Sequence, residues 1–152
     1  MDNCIKQPNA RRYQSWEYDS HRRFLSYWYQ ISETMNLRPT HVLEVGVGSG
    51  FFADYLRKRT IRVTTYDIDK DLKPDVIGSI EHMPLSDSTF DVITDCEVLE
   101  HLPFEKAQNA LRELHRVTSH WVICSVPDIT RSFRIEIPIP WLGKFKRFYT
   151  VP

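Results

Sequence analysis

A glycine-rich segment, E-V-G-V-G-S-G at residues 44–50, constrains the fold of this chain more than any other feature. An apolar run leads into it and a helix-forming stretch, F-F-A-D-Y-L-R, follows. Glycines let the backbone turn tightly and bring the amides of a helix N-terminus close to a ligand. Asp67 follows Gly46 by 21 residues, where a carboxylate can accept hydrogen bonds from both hydroxyls of a ribose. The pattern predicts a strand, a turn and a helix that together bind a nucleoside.

The rest of the sequence alternates short β-branched runs with helical stretches, which is typical of parallel strands joined by crossover helices. The predicted strands are 41–45, 61–66, 75–77, 90–95 and 121–126, and the predicted helices are 18–36, 51–59 and 105–117. Several strands are almost continuously apolar, as expected where helices cover both faces of a sheet. The fold class is therefore α/β, a Rossmann-like parallel sheet with flanking helices.

The N-terminal region carries an unusual number of aromatic residues. Phe24, Trp28, Ile31 and Met35 recur at spacings that place them on one face of the predicted first helix. Two interpretations remain open for the aromatic residues, a lid over the ligand cleft or ordinary core packing. The aromatic residues in question are Trp16, Tyr18, Phe24, Tyr27, Trp28 and Tyr29.

The predicted helices and strands divide the chain into three parts. Residues 1–16 are expected to be a flexible lead-in, and residues 17–128 a ligand-binding core whose first helix acts as a lid. Residues 129–152 form an irregular basic and aromatic tail.

Composition excludes several classes of function. Twenty Lys and Arg balance twenty Asp and Glu, so the chain lacks the basic excess of a nucleic-acid-binding protein. No apolar run reaches the roughly 20 residues that span a bilayer, and we expect a cytoplasmic protein without a transmembrane segment. The cysteines Cys4, Cys96 and Cys124 form no Cys-x-x-Cys pair, and the histidines show no metal-ligand spacing. We therefore expect reduced thiols and no metal.

The identity of the nucleoside depends on Glu44. Residues 48–53, G-S-G-F-F-A, also satisfy the G-x-G-x-x-A form of the dinucleotide fingerprint, so an NAD(P)-binding oxidoreductase domain remains an alternative. Glu44, two residues before Gly46, would repel the pyrophosphate of a dinucleotide. The same carboxylate would attract a cationic sulfonium ligand that carries an ammonium group.

Taken in order, these residues resemble class I S-adenosylmethionine-dependent methyltransferases. The segment 44–50 resembles motif I of that family, and Asp67 matches its ribose-binding acid. The segments E-H-M-P-L-S-D-S-T-F-D-V-I at 81–93 and C-E-V-L-E-H-L at 96–102 look like the broad type 11 subgroup, which includes ubiquinone-biosynthesis-like enzymes. The resemblance implies a methyl transfer from S-adenosylmethionine to a small molecule or other nucleophile by in-line displacement, with S-adenosylhomocysteine as product.

The resemblance also implies a set of cofactor-binding residues. We expect Glu44 near the methionine ammonium, Asp67 on the ribose, and the backbone of the glycine turn, Cys96 and Glu97 near the methionine. The full cofactor-binding set is Glu44, Gly46, Gly48, Gly50, Asp67, Ile68, Ser79, Ile80, Cys96 and Glu97, of which Ile68, Ser79 and Ile80 surround the adenine. His101 is the candidate catalytic base, although the sequence favours a role in fixing its loop.

Three departures from the family pattern matter. Gly78-Ser79-Ile80 replaces a G-D-A triplet, so Ser79 offers the adenine a weaker acceptor than Asp. Residues 118–120, T-S-H, replace a Lys-Pro-Gly-Gly turn and are expected to shorten the loop before the last strand. The usual C-terminal strand pair is not found in the residues after Pro127, which predicts a truncated C-terminal region and an exposed sheet edge through which copies of the chain can associate.

A non-catalytic module remains the third alternative. In that interpretation a degenerate methyltransferase fold, or a tail containing Trp141 and Lys144, binds an anionic surface. The retained cofactor-site residues argue against degeneration, and the missing strands argue for it.

Overall fold

The computed structural model describes residues 10–126, which form a five-stranded parallel sheet flanked by helices. The strands are β1 (His41–Val45), β2 (Arg62–Asp67), β3 (Val76–Ile77), β4 (Phe90–Cys96) and β5 (Thr118–Ser125). The helices are α1 (Ala10–Tyr13), α2 (His21–Asn36), α3 (Phe51–Arg57) and α4 (Phe104–Val117), with 3-10 turns at Trp16–Tyr18, Lys70–Leu72 and Leu99–His101. The predicted α/β class and parallel sheet are confirmed.

The strand order is β3-β2-β1-β4-β5, so the chain reverses direction across the sheet next to β1. Leu43 of β1 pairs with Thr64 of β2 on one side and with Ile93 of β4 on the other. Where the strand order reverses, the loops after β1 and β4 diverge and leave a crevice at the carboxyl ends of the strands. The fold therefore places the glycine turn and the loop after β4 at the two sides of one crevice.

Alternating side chains of the strands build two cores, one on each face of the sheet. On one face, Leu43 and Ile93 pack with Ala110, Leu114 and Val117 of α4. On the other face, Val42 and Val92 pack with Phe52, Ala53 and Leu56 of α3. This alternation puts Glu44 on the α3 face and Asp95 of β4, the register partner of Val45, on the α4 face.

The connection between α4 and β5 is short, as the sequence indicates, but the predicted start of the last strand is wrong. β5 begins at Thr118, directly after the last residue of α4, and not at Trp121. The hydroxyls of Thr118 and Ser119 both donate to the carbonyl of Phe90, at 3.3 and 3.1 Å, which ties the start of β5 to the start of β4. The β-branched Thr118 and the local hydroxyls thus replace the turn that a glycine-containing loop would make.

The apolar stripe of α2 shares one helix face, of which Ile31 packs against the core on the α3 face while the other three side chains are exposed. Phe24 is 45% exposed, Trp28 61% and Met35 37%. The buried side consists of Ser26, Tyr27, Gln30 and Thr34. Its polar groups bond within the helix, because Gln30 Nε2 donates to Ser26 Oγ at 3.0 Å and Thr34 Oγ1 donates to the Gln30 carbonyl at 2.8 Å. Core packing therefore accounts for Tyr27, which is buried, but not for the exposed Trp28, and the lid interpretation stays a prediction.

Other predictions concern the ends of the chain. The predicted lead-in overlaps α1 and the turn that starts at Trp16, so helical structure begins earlier than the pattern indicates. The tail at 129–152, the expected loss of the C-terminal strand pair, Cys4, Trp141 and Lys144 all lie outside the described residues. In residues 10–126, β5 is an outer strand, and no helix is long and apolar enough to cross a membrane. Self-association through β5 stays a prediction.

Candidate functional site

A pocket opens at the carboxyl ends of β1, β2 and β4, in the crevice that the strand order creates. Every predicted site residue except Gly50 lines it: Glu44, Gly46, Gly48, Asp67, Ile68, Ser79, Ile80, Cys96, Glu97 and His101. Gly50 instead precedes α3 as its N-terminal cap, with φ +78. The topology thus brings residues from four separate loops to one cavity.

Gly46 fixes the glycine turn against the loop after β4. Its φ of +83 lies in the left-handed region, and a Cβ added there would collide with Val98. Its N–H donates to the Tyr66 carbonyl at 2.9 Å, which extends the pairing of β1 with β2 into the turn. Any other residue at this position would strain the backbone and displace Val98.

Asp67 lies at the end of β2 and supports the turn while facing the pocket. Oδ2 accepts a hydrogen bond from the Val47 N–H and Oδ1 accepts one from the Asp69 N–H, both at 2.8 Å. An ionised carboxylate has about four lone-pair sites, so each oxygen retains one for a further donor. The carboxylate is therefore held in place and can still accept a hydrogen bond from each of two hydroxyl groups.

Glu44 presents a buried carboxylate to the pocket. The residue is 6% exposed, and Oε2 receives no hydrogen bond from residues 10–126. Burial raises the pKa of Glu44 well above its usual range, and Asp54 and Asp67 add to the shift while Arg57 opposes it. Arg57 itself is held by Asp75 at 2.7 Å. An uncompensated oxygen in this position is matched to a cationic ligand group.

Residues that follow β2 and β3 line another part of the pocket. Ile68 is 59% exposed, Ile80 is buried, and Ser79 lies between them and the strand ends. The Tyr66 hydroxyl donates to the Ser79 carbonyl at 2.9 Å, and a Cβ on Gly78 would collide with that hydroxyl. These contacts set the backbone at 78–80 close to the strand ends, where an aromatic ring can lie against Ile68.

An aromatic wall from the N-terminal region closes the pocket, and sequence reasoning identified it only as one of two alternatives. Tyr13 and Tyr18 meet edge to face at 5.0 Å. Both lie 3.8 Å from the position that a Cβ on Gly48 would occupy, directly over the glycine turn. Tyr27 is joined to Ser49 of the turn by a hydroxyl hydrogen bond of 2.8 Å. The wall therefore acts as a cover for the turn.

Arg23 of α2 was missed by the sequence analysis. Its guanidinium lies 4.7 Å from the centre of the Tyr18 ring and lines the pocket, and no carboxylate of the described part of the chain lies within salt-bridge distance. It is the one Lys or Arg among the described lining residues. The sequence gives no signal for it, because nothing but the path of α2 across the crevice distinguishes it from Arg22.

The loop after β4 contributes Cys96, Glu97 and His101. Glu97 adopts φ +63, and its N–H donates to the Ser125 carbonyl of β5 at 2.9 Å. Burial raises the pKa of Glu97, whereas the positive charges of Arg23 and His101 act in the opposite direction. Burial also raises the pKa of the Cys96 thiol, so this sulfur stays protonated at neutral pH. Both predicted roles of His101 remain predictions.

The predicted absence of a metal site concerns the His, Cys, Asp and Glu side chains. Between residues 10 and 126, no three His, Cys, Asp or Glu side chains are grouped in a way that could hold a metal ion. The pocket instead combines several carboxylates, of which Glu44 and Asp67 are buried, with the aromatic cover formed by Tyr13 and Tyr18.

The sequence matches the family described as Methyltransferase domain, type 11, over residues 43–126, which is more than half of the chain. A curated relative from Mycolicibacterium smegmatis, named "Probable S-adenosylmethionine-dependent methyltransferase", is 30% identical over 99 residues, covering 55% of this chain and 38% of the relative. The chain thus spans well under half of that protein's length. The ubiquinone-biosynthesis-like likeness within type 11 stays a prediction.

Solved structures show the same fold. The PH0226 protein from Pyrococcus horikoshii OT3 aligns with a TM-score of 0.61 at 23% identity, covering 74% of this chain and 59% of that one. The N-methyltransferase NodS from Bradyrhizobium japonicum WM9, solved in complex with S-adenosyl-L-homocysteine, aligns with a TM-score of 0.59 at 16% identity, covering 75% and 68%. At these identities the likeness concerns the fold alone.

Proposed function

We propose that this chain, which belongs to the Methyltransferase domain family, binds S-adenosylmethionine over its glycine turn and transfers the methyl group to a small-molecule nucleophile. One observation carries the proposal: the Glu44 Oε2 atom is buried, lines the pocket and has no donor within residues 10–126. A ligand with an ammonium group supplies the missing donor and the compensating charge. A dinucleotide pyrophosphate would add negative charge beside this acid, so the oxidoreductase alternative is disfavoured.

The remaining groups of the pocket fit the other parts of the cofactor. We expect the Asp67 carboxylate to accept hydrogen bonds from the ribose hydroxyls, since each oxygen retains a free lone pair. Ile68, Ser79 and Ile80 would enclose the adenine. The backbone of Gly46, Gly48, Cys96 and Glu97 lies around the methionine end, and the cationic Arg23 is matched to the methionine carboxylate.

When bound, S-adenosylmethionine supplies an electrophilic methyl group on a sulfonium whose sulfur is already a good leaving group. The chain's own residues therefore contribute mainly by alignment, because a fixed geometry removes most of the entropic cost of bringing two reactants together. Tyr13 and Tyr18 cover the turn and limit the access of water. The Tyr27–Ser49 hydrogen bond holds this cover against the turn.

The test is isothermal titration of the chain with S-adenosylmethionine, S-adenosylhomocysteine and NAD side by side. We expect both adenosyl ligands to bind and NAD not to bind. Asp67→Ala should weaken S-adenosylhomocysteine at least about tenfold, because two charge-assisted hydrogen bonds are lost. Asp71→Ala, at an exposed acid in the 3-10 turn Lys70–Leu72, is the matched control and should bind as the wild type does. Binding of NAD alone would reject the proposal.

A further inference from the structure

The proposed cofactor contacts leave one charged side chain of the pocket without a role. Glu97 is expected to use its backbone for the methionine, but its carboxylate also lines the pocket. Within residues 10–126 it accepts no hydrogen bond and lies beyond salt-bridge distance of every Lys, Arg and His. Burial raises the pKa of Glu97, and the charges of Arg23 and His101, which act on it from a distance, oppose this shift. The carboxylate is thus available to a second ligand.

The backbone of Glu97 is strained in a way that fixes this side chain. A residue other than glycine with φ +63 costs on the order of 1 kcal/mol or more and persists only where the surroundings hold it. The hydrogen bond from its N–H to Ser125 provides that restraint. Such strain is concentrated at functional sites, and here it determines the direction in which the carboxylate leaves the end of β4.

The pocket as a whole is acidic. Its lining carries the carboxylates of Glu44, Asp67, Asp69 and Glu97 against the guanidinium of Arg23 and the imidazole of His101, while a fifth lining acid, Glu81, is paired with Lys106 at 3.0 Å. Once Arg23 meets the methionine carboxylate, the charge that remains near Glu97 is negative. An anionic acceptor would be repelled there, and a cationic one attracted.

The aromatic wall strengthens the same preference. Tyr13 and Tyr18 form the cover of the pocket on the side of α2, and the faces of phenol rings attract cations. The Arg23 guanidinium already occupies one face of Tyr18, at 4.7 Å from its centre. A site with a free carboxylate and phenol rings is typical of amine recognition rather than carboxylate or phosphate recognition.

We propose that the Glu97 carboxylate binds the methyl acceptor and that this acceptor is a small-molecule amine. The inference rests on the proposed function. The amine enters as an ammonium ion hydrogen-bonded to Glu97 and gives one proton to that carboxylate. The nitrogen lone pair then forms the N–C bond, while the S–C bond breaks and its electron pair stays on sulfur, giving a thioether and a methylated ammonium. Glu97 then returns its proton to solvent.

The burial of Glu97 supports the proton-transfer step. A carboxylate whose pKa is raised accepts a proton from an ammonium more readily than an exposed one does. His101 lines the same pocket, and its positive charge acts to lower the pKa of Glu97.

The experiment uses the full chain saturated with S-adenosylhomocysteine and titrated with three probes of similar size, phenethylamine, phenethyl alcohol and 3-phenylpropionate. We expect phenethylamine to bind at least about tenfold more tightly than either other probe, as a charge-assisted hydrogen bond requires. In Glu97→Gln, saturated with S-adenosylhomocysteine as the wild type is, this preference should disappear. Glu17→Gln removes the same charge from an exposed site near the pocket and should leave the preference intact.

The outcomes separate the two proposals. Normal binding of S-adenosylhomocysteine with tighter binding of the carboxylate or alcohol probe would overturn the amine inference alone. An amine preference that survives in Glu97→Gln would overturn the role of Glu97. No binding of S-adenosylhomocysteine to the wild type would overturn the proposed function, and the amine inference with it.

Discussion

Two buried carboxylates on neighbouring strands behave differently in this fold. Glu44 of β1 is 6% exposed and Asp95 of β4 is fully buried, and each has oxygen atoms that receive no hydrogen bond from an N–H or O–H group within residues 10–126. Glu44 lies on the α3 face and lines the pocket, whereas Asp95 lies on the α4 face and does not. The same burial therefore has two consequences. One acid can be compensated by a ligand, and the other must be compensated by a proton.

The pKa of Asp95 follows from its buried surroundings. Burial raises the pKa of Asp95 to about 8, with a further contribution from Glu100, and the Cys124 thiol opposes the shift. Burial likewise raises the pKa of Glu100 to about 7. Cys96 is the other titratable group beside Asp95, and it stays protonated. We conclude that Asp95 is neutral in the folded chain at neutral pH.

The largest effect is expected from Asp95→Asn on stability. The folded chain keeps a proton on Asp95 that the unfolded chain releases above its ordinary pKa, so the stability of the wild type falls as the pH rises from about 4 to about 8. Asn removes this penalty and should raise the free energy of unfolding at pH 8 by on the order of 3 kcal/mol. Urea unfolding at pH 5 and pH 8 measures it. If Asp95→Asn changed the free energy of unfolding equally at both pH values, Asp95 would not be the buried, protonated acid that distinguishes it from Glu44.

The second prediction concerns Glu44→Gln and cofactor affinity. Loss of the charged partner of the ammonium should weaken S-adenosylhomocysteine by roughly 10- to 100-fold, the value of one charge-assisted hydrogen bond. Asp95→Asn is the matched control, because it makes the same carboxyl-to-amide change at a buried acid on the adjacent strand, outside the pocket. Isothermal titration of both variants measures the difference, and similar losses in the two would show that the pocket does not distinguish these acids.

A pH series sharpens the role of Glu44. Its raised pKa means that a cationic ligand must displace a proton from it on binding. The affinity for S-adenosylhomocysteine should therefore increase as the pH rises, with proton release on binding, and this increase should vanish in Glu44→Gln. Titrations in buffers of different ionisation enthalpy report the released proton. Uptake of a proton would contradict this protonation state.

The smallest effect is expected for Arg23→Gln. Loss of the guanidinium should weaken S-adenosylhomocysteine by about tenfold, because the methionine carboxylate loses its cationic partner. Adenosine, which has no carboxylate, is the matched ligand and should bind the variant and the wild type equally. A parallel loss for adenosine would assign Arg23 to packing against Tyr18 instead.

The sequence predicted the sheet well, because the pattern of apolar runs is a local property. The bounds of β1 agree with the structure, and β4 differs from its predicted range by one residue at its end. The glycine turn was also predictable. Position 46 has a positive φ and lies against Val98, and glycine is the residue type that meets both conditions. The carboxyl ends of parallel strands meet at one edge of the sheet, so the sequence alone predicts that Glu44 and Asp67 lie at the same site.

The orientation of α2 could not be predicted. Helical periodicity identifies which residues share a face but not which face the sheet will bury, and here the polar side with Gln30 and Thr34 is inside. For the same reason the sequence did not identify Arg23, and it left the role of the aromatic residues open between a lid and core packing. The start of β5 at Thr118 was missed because a loop was expected by analogy, while the hydroxyl bonds to Phe90 depend on tertiary contact.

The most direct test of the central claim is a crystal structure of the chain in complex with S-adenosylhomocysteine. We predict that the ligand ammonium lies within about 3 Å of a Glu44 oxygen, that the ribose hydroxyls contact Asp67, and that Asp95 touches no part of the ligand. A ligand bound elsewhere, or one whose ammonium is held without Glu44, would contradict the claim that this buried oxygen is the cofactor's anchor.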